Sequence, residues 1–552
     1  MAGTRRPGGL SDLLEDLKAR SGLSYEGIGR KTHLSKSAVH RYCTGLSVPQ
    51  DFGVLERIGL ACGATTAERL RLHDLWAGAV TAREKAVVVP AAVPVEVVPV
   101  KAVPSPVVPR PVVVPPAVKR RSWRRPVSVS IVCLVVWLVS GAQSHVVIPL
   151  ATPQRVDGPA WTLPAAPVPS TLFGVTINSA TGGMPAFRVG AVRLWDSGTR
   201  WSEVQAARGE FDWSTSDRLV DGAERAGVPV LFVFGGTPRW AAPSGRPSVY
   251  PDGSSSAPPD DLADWDAYVR AVAQRYRGRI SAYELWVLGN DSRFYSGSTE
   301  TLVEMTRRAS TIIRATDAEA TVVCPGMGQL WSEDGLRAFR RFAGLGGYGH
   351  CEVAGVKLFQ RDASEPPETM LTLTAMIDQV LHEAGVHPRL WNTGTTYTIP
   401  LQGPLDERTA VNHAVRFFLV GVYARNRNLE RMYFYNWGGT KIPIVLQAVG
   451  GTPTAAALAV EQLQRWLAHA RSRSCGHGAA SGLPGNVWQC RFTITTTGQP
   501  HEACIRWTDT GSATTTAEPG TLSVRRLDGT STATQPGDTI AVAEEPVLIE
   551  YG

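Results

Sequence analysis

Aromatic side chains beside short polar ones recur in the second half of this 552-residue chain, at the ends of apolar runs. Arg193, Trp195 and Asp196 close one run, and Trp240 follows another. Trp286, Asn290 and Asp291 close a third, Trp391 a fourth, and Tyr435 and Trp437 a fifth. An aromatic face can stack on the apolar face of a pyranose ring, while Asp, Asn and Arg hydrogen-bond its hydroxyls. A single Trp at a strand end is ordinary core. Several at one rim predict a carbohydrate cleft, so these ten residues are the candidate ligand contacts. A second constellation stands near the N-terminus, where Lys36, Ser37, His40 and Arg41 offer donors suited to phosphates and base edges.

The rim needs a scaffold that brings distant strand ends together. From Phe173 the sequence alternates apolar runs with amphipathic stretches such as Asp264–Arg277 and Leu302–Arg314. The runs are Leu172–Ile177, 191–195, 228–234, 280–286, 320–324, 353–359, 389–391 and 431–435. Eight such strands predict an α/β (β/α)8 TIM barrel over residues 171–475, with its site at the C-terminal strand ends. Residues 476–552 hold short runs separated by turns and predict an all-β sandwich.

The motifs in this half resemble a known family. Gly190-Ala-Val-Arg-Leu-Trp-Asp196, Phe211-Asp-Trp213, Thr237-Pro-Arg-Trp240 and Tyr276-Arg-Gly-Arg-Ile-Ser-Ala-Tyr-Glu-Leu-Trp286 look like family 39 glycoside hydrolases of the retaining TIM-barrel clan. The resemblance covers roughly residues 170–550. It implies two catalytic glutamates, one in Asn-Glu-Pro after Tyr-Glu-Leu-Trp, the other after a Thr at the end of the seventh strand. Here Val287-Leu288-Gly289 follows the first motif, and Thr393 is followed by Gly394. Retaining hydrolysis needs two carboxyls about 5 Å apart, and leucine and glycine supply neither. Among substitutes, Glu284 lies about 13 Å deeper along its strand at 3.3 Å per residue, so a structural ion pair is its expected role. Asp196 and Asp291 stand at the rim and are the remaining candidates.

The N-terminal residues 1–85 read as an all-α head. Leu10, Leu13, Leu14 and Leu17 recur at helical spacing. Ser24 and Ser35 are good N-caps and Gly45 a good stop for two short helices joined by a tight turn. Gly22-Leu-Ser24, Leu34-Ser-Lys-Ser-Ala-Val39 and Gly45 resemble the lambda-repressor-like (XRE) helix-turn-helix family. That resemblance implies that the second helix enters the major groove, with Lys36, Ser37, His40 and Arg41 in its first turns.

Between the halves, residues 86–118 carry nine prolines and predict an extended spacer with a reach of about 100 Å. A basic segment, 119–125, precedes the uncharged run 126–148, which predicts one transmembrane helix with a cytoplasmic N-terminus and an extracytoplasmic barrel. Residues 149–170 read as a second linker. Residues 1–125 hold 20 Lys and Arg against 10 Asp and Glu, a net of +10, and the remainder 36 against 39, a net of −3, so the positive charge is concentrated in the N-terminal part. Sequence leaves the pairing of the eight cysteines open. Cys324–Cys351 and Cys475–Cys490 are the expected disulfides.

Together these features predict a single-pass membrane signalling protein, with a glycan-binding barrel that lacks hydrolysis outside and a DNA-binding head inside. The expected partners are carbohydrate, DNA, the membrane and a second copy of the chain brought in by ligand; no cofactor or metal is expected. The alternative is a membrane-anchored hydrolase with a relocated catalytic acid.

Overall fold

The computed structural model describes residues 9–32, 36–49, 52–65, 67–69, 71–72, 75–76, 79, 160–396, 398–496 and 499–552. The chain divides into two compact units, residues 1–136 and 137–552.

The head packs α1 (Leu10–Ser21), α2 (Tyr25–Thr32), α3 (Lys36–Cys43) and α4 (Phe52–Ala61) around Leu14, Leu17, Ile28, Val39, Cys43, Leu55 and Ile58. Helical spacing of apolar residues places these side chains on one face of each helix. Gly22, at φ +63°, ends α1 in the left-handed region that glycine enters without strain. Ser24 Oγ accepts from Gly27 N–H at 3.1 Å and caps α2.

In the second unit, eight parallel strands close a barrel: β2 (Phe173–Ile177), β3 (Ala191–Leu194), β4 (Val230–Val233), β5 (Ala282–Glu284), β6 (Thr321–Val323), β7 (Val353–Val356), β8 (Arg389–Asn392) and β9 (Leu429–Trp437). Pairing of β2 with β9 completes the closure. Ala191, Leu231, Ala282, Val323, Val353, Trp391 and Tyr433 fill a buried layer contributed by seven of these strands. Helices such as Leu262–Arg275 and Thr299–Thr316 bury their apolar stripes in the large core cluster around the strands. Cys324 and Cys351 join the end of β6 to the start of β7 through a disulfide with Cα atoms 5.4 Å apart.

The β domain is a seven-stranded antiparallel sheet plus a two-stranded ribbon. Val487, Cys504, Val542, Val547 and Ile549 form its own core. A disulfide links Cys475 and Cys490, which stand opposite each other on neighbouring strands. The domain also recruits β1 (Ala160–Pro167), residues expected to be linker. Pro164 and Pro167 hid this strand in the sequence; both are tolerated because β1 lies at the sheet edge.

The expected transmembrane architecture requires correction. Among the described residues no helix is long and apolar enough to cross a membrane. The run 126–148 lies outside the described residues, as do the spacer 86–118 and the basic segment 119–125. An uncharged, Val-rich run of that length has the composition of a span, but composition alone does not make one, and among the described residues no spanning helix is found. The single-pass topology, the membrane as partner and the two-sided localisation are therefore withdrawn.

Candidate functional site

Four strand ends converge at the barrel mouth. Arg193 of β3, Glu284 of β5, Lys357 just after β7 and Thr393 just after β8 form one buried polar cluster. Arg193 Nε donates to Glu284 Oε2 at 2.8 Å, and Nη2 stands 2.7 Å from the same oxygen. Lys357 Nζ donates to Glu284 Oε1 at 2.8 Å, to the Thr393 carbonyl at 2.8 Å and to Thr393 Oγ1 at 2.6 Å. Thr393 Oγ1 in turn donates to Glu284 Oε1 at 2.6 Å. Glu284 is thus held in a structural ion pair, far from any proton-shuttling role. Burial, reinforced by the Arg193 charge, pushes the Lys357 amine down to about 7.

Above the cluster lies a cleft of about 120 Å³, lined among others by Arg193, Trp195, Asp196, Tyr250, Leu288, Lys357, Gly394 and Tyr435. Asp196 Oδ2 accepts from Tyr435 Oη at 2.8 Å, and Oδ1 lies 3.6 Å from Arg200 Nη1. Burial, then the Asp196 charge, raises the Tyr435 phenol well above its ordinary value, so it remains a donor. Trp195 Nε1 donates to Tyr250 Oη at 2.6 Å, which fixes the indole at the rim.

Leu288 and Gly394, the two positions at which the sequence resemblance implies carboxylates, both line this cleft. Leu288 is buried and apolar. Gly394 has φ +122°, a conformation that L side chains rarely adopt. A Cβ built there would meet a single atom within 4 Å, Arg193 Nη1 at 3.8 Å.

Of the ten expected ligand residues, the cleft brings together Arg193, Trp195, Asp196 and Tyr435. The other six do not line it. Trp286 is fully buried and donates to the Phe294 carbonyl. Trp391 lies in the buried barrel layer, and Trp437 is buried with its Nε1 on Gln447. Trp240 donates to the Gln205 carbonyl and meets Trp201 edge-on. Asn290 ties the loops at Gly328 and Gly335 together. At Asp291, burial works to raise the pKa, but hydrogen bonds from Arg293 and its charge outweigh it and hold the carboxyl below the usual range. Sequence reasoning missed Tyr250 and Lys357. A lone lysine inside the apolar run Val353–Phe359 was the available signal for the latter.

In the head, Lys36, His40 and Arg41 are exposed on α3, while Val39 and Cys43 face inward. His40 meets Tyr25 edge-on at 5.0 Å. The side chain of Ser37 lies outside the described residues. Among the described residues no cluster of His, Cys, Asp or Glu could hold a metal ion.

A family model described as "Helix-turn-helix domain" matches residues 10–72. No curated protein sequence matches the chain. Among solved structures, a family 39 glycoside hydrolase from Bacteroides cellulosilyticus WH2 is similar at TM-score 0.51 and 14% identity, over 70% of this chain and 81% of that one. A glucosidase from Croceicoccus marinus is similar at 0.49 and 14%, over 71% and 96%. A GH39 β-xylosidase from Caulobacter crescentus follows at 0.48 and 13%, over 70% and 98%. At these identities the likeness is one of fold alone. The chain therefore joins a helix-turn-helix domain to a glycosidase-like barrel with an antiparallel β domain.

Proposed function

We propose that the barrel binds carbohydrate without hydrolysing it by the two-carboxylate route, and that the head binds DNA through α3. One observation supports the first half: Leu288 and Gly394, where the sequence resemblance implies the two carboxyls of a retaining hydrolase, both line the cleft and supply neither. Neither carboxylate close by can substitute. Glu284 is sealed beneath two cations, and Asp196 is engaged by Tyr435 and flanked by Arg200. Loss of catalytic carboxylates removes transition-state stabilisation and leaves ground-state sugar contacts in place. The aromatic and polar lining of the cleft supports retained binding. For the head, exposed Lys36, His40 and Arg41 on the second helix of a helix-turn-helix support groove binding.

Native mass spectrometry of the full chain with a mixed oligosaccharide panel tests the barrel. Adducts without shortened products are expected. Shortened oligosaccharides would overturn the non-hydrolytic reading and direct attention to Asp196.

A further inference from the structure

The cluster beneath the cleft holds more cation than carboxylate. Arg193 and Lys357 both end on Glu284, and both are nearly sealed from solvent. Arg193 donates to that carboxylate through Nε, and Nη2 lies 2.7 Å from the same oxygen as an ion-pair contact without a hydrogen bond. Its Nη1 takes no hydrogen bond among the described residues, and it lies beside the open space above Gly394. A buried guanidinium thus presents one unused edge exactly where residue 394 has no side chain.

We propose an anion subsite over Gly394, in which Arg193 Nη1 binds a carboxylate brought by the ligand in place of a residue-394 side chain. The inference rests on the carbohydrate cleft proposed above and narrows its ligand to a carboxylate-bearing sugar. A small free carboxylate shares the chemistry. A hydrogen bond between a buried guanidinium and a carboxylate is charge-assisted and directional, which a neutral hydroxymethyl group cannot match. Asp196 repels an anion at its own edge of the cleft, yet its charge is already engaged by Tyr435 and Arg200. That leaves the Gly394 side as the place for the ligand's carboxylate.

The subsite also couples binding to protons. The groups facing Lys357 are Glu284 from β5, Arg193 from β3, Asp196 after β3, and Thr393 after β8. A carboxylate over Gly394 adds negative charge to this set and raises the lysine's affinity for its proton. Binding just above neutral pH therefore takes up a proton.

Calorimetry on the full chain tests this with methyl glucuronoside, its methyl ester, methyl glucoside and sodium acetate. The acid should bind at least about tenfold more tightly than the ester, the effect of one hydrogen bond to a charged group. Two buffers of different ionisation enthalpy should reveal proton uptake for the acid alone. In Arg193→Met, which leaves Glu284 paired with Lys357, the acid-to-ester ratio should fall to near one. If that variant does not fold, the comparison of acid and ester on the unaltered chain decides. Equal binding of acid, ester and glucoside overturns the subsite and leaves the carbohydrate reading standing. Binding of acetate without any sugar supports the subsite and overturns the carbohydrate reading. Binding of none of the four overturns both.

Discussion

Glu284 Oε1 and Lys357 Nζ lie 2.8 Å apart, with both side chains closed off from solvent at 0% and 1% exposure. This ion pair stands in the same barrel as a buried layer of apolar and aromatic side chains from Ala191 to Tyr433. Its energetics are asymmetric: the intact pair roughly offsets its desolvation, whereas a broken one leaves a bare buried charge.

Glu284→Gln should therefore be strongly destabilising. It strips the carboxylate from two cations at once, Arg193 and Lys357. The expected loss is about 3–5 kcal/mol, read as a shift of the barrel transition in urea. A loss below about 1 kcal/mol would mean that water already solvates the cluster.

The depressed Lys357 amine makes stability depend on pH. Its value falls from 10.5 to about 7 because burial and Arg193 disfavour the charged form. Between these values the unfolded chain binds the proton and the folded chain does not, so stability rises with pH across that window. The slope from this group is about 1.4 kcal/mol per pH unit. Below pH about 7 both states are protonated and its dependence vanishes. Lys357→Met should flatten the slope above neutrality in denaturation curves taken at several pH values. An unchanged slope would place its origin elsewhere.

The barrel was readable from its strands because apolar runs alternate with amphipathic stretches, as parallel sheets require, and because there are eight of them, the number that closes a (β/α)8 barrel. The cleft was less so. Trp286 and Trp391 end strands as Trp195 does, yet they turn into packed layers while Trp195 reaches the mouth. Strand position sets the face of a side chain, but short strands that lead into irregular loops lose the alternation within a residue or two. Glu284 is the opposite case. Counting along its strand placed it deep in the barrel, and a buried carboxylate there demanded a cation; what remained hidden was that Lys357, more than 70 residues away, would be one of them. The edge strand β1 was masked by its prolines.

Cys324 and Cys351 close a loop with a sequence separation of 27. Removing that crosslink frees loop entropy in the unfolded chain worth about 3.5 kcal/mol. A Cys324→Ala and Cys351→Ala double variant should lower the barrel transition accordingly, and reduction of the unaltered chain should do the same. Cys504→Ala removes a buried thiol outside either disulfide and keeps both crosslinks, so reduction should lower its midpoint by as much as it lowers that of the unaltered chain.

On the head, Lys36→Ala and Arg41→Ala remove exposed cations from α3. If each meets a phosphate, binding to DNA should weaken for all sequences alike, and the slope of log affinity against log salt should fall by about 1 per variant. His40→Ala should instead alter preference among sequences if its ring reaches a base edge. Fluorescence anisotropy with a pool of duplexes at several salt concentrations separates these outcomes. Salt slopes identical to the unaltered chain would remove α3 from the interface.

Two glycines near the cluster should fail for different reasons. Gly394→Ala meets open space, so its cost is purely conformational: φ +122° is strained for alanine and worth about 1–3 kcal/mol. Gly326→Ala meets no backbone penalty of that kind. Its Cβ would lie 2.5 Å from the Val287 carbonyl oxygen, 2.6 Å from Glu284 Oε1 and 2.8 Å from Lys357 Cε, so both the neighbouring backbone and the ion pair must move. The second variant should approach the cost of Glu284→Gln and also shift the pH dependence assigned to Lys357, whereas Gly394→Ala should leave that dependence in place. Combining Gly326→Ala with Glu284→Gln should cost less than the sum of the two, because both disturb the Glu284 contacts, while the clash with the Val287 carbonyl remains in either background. Additive losses would show that Gly326 serves the loop and not the cluster.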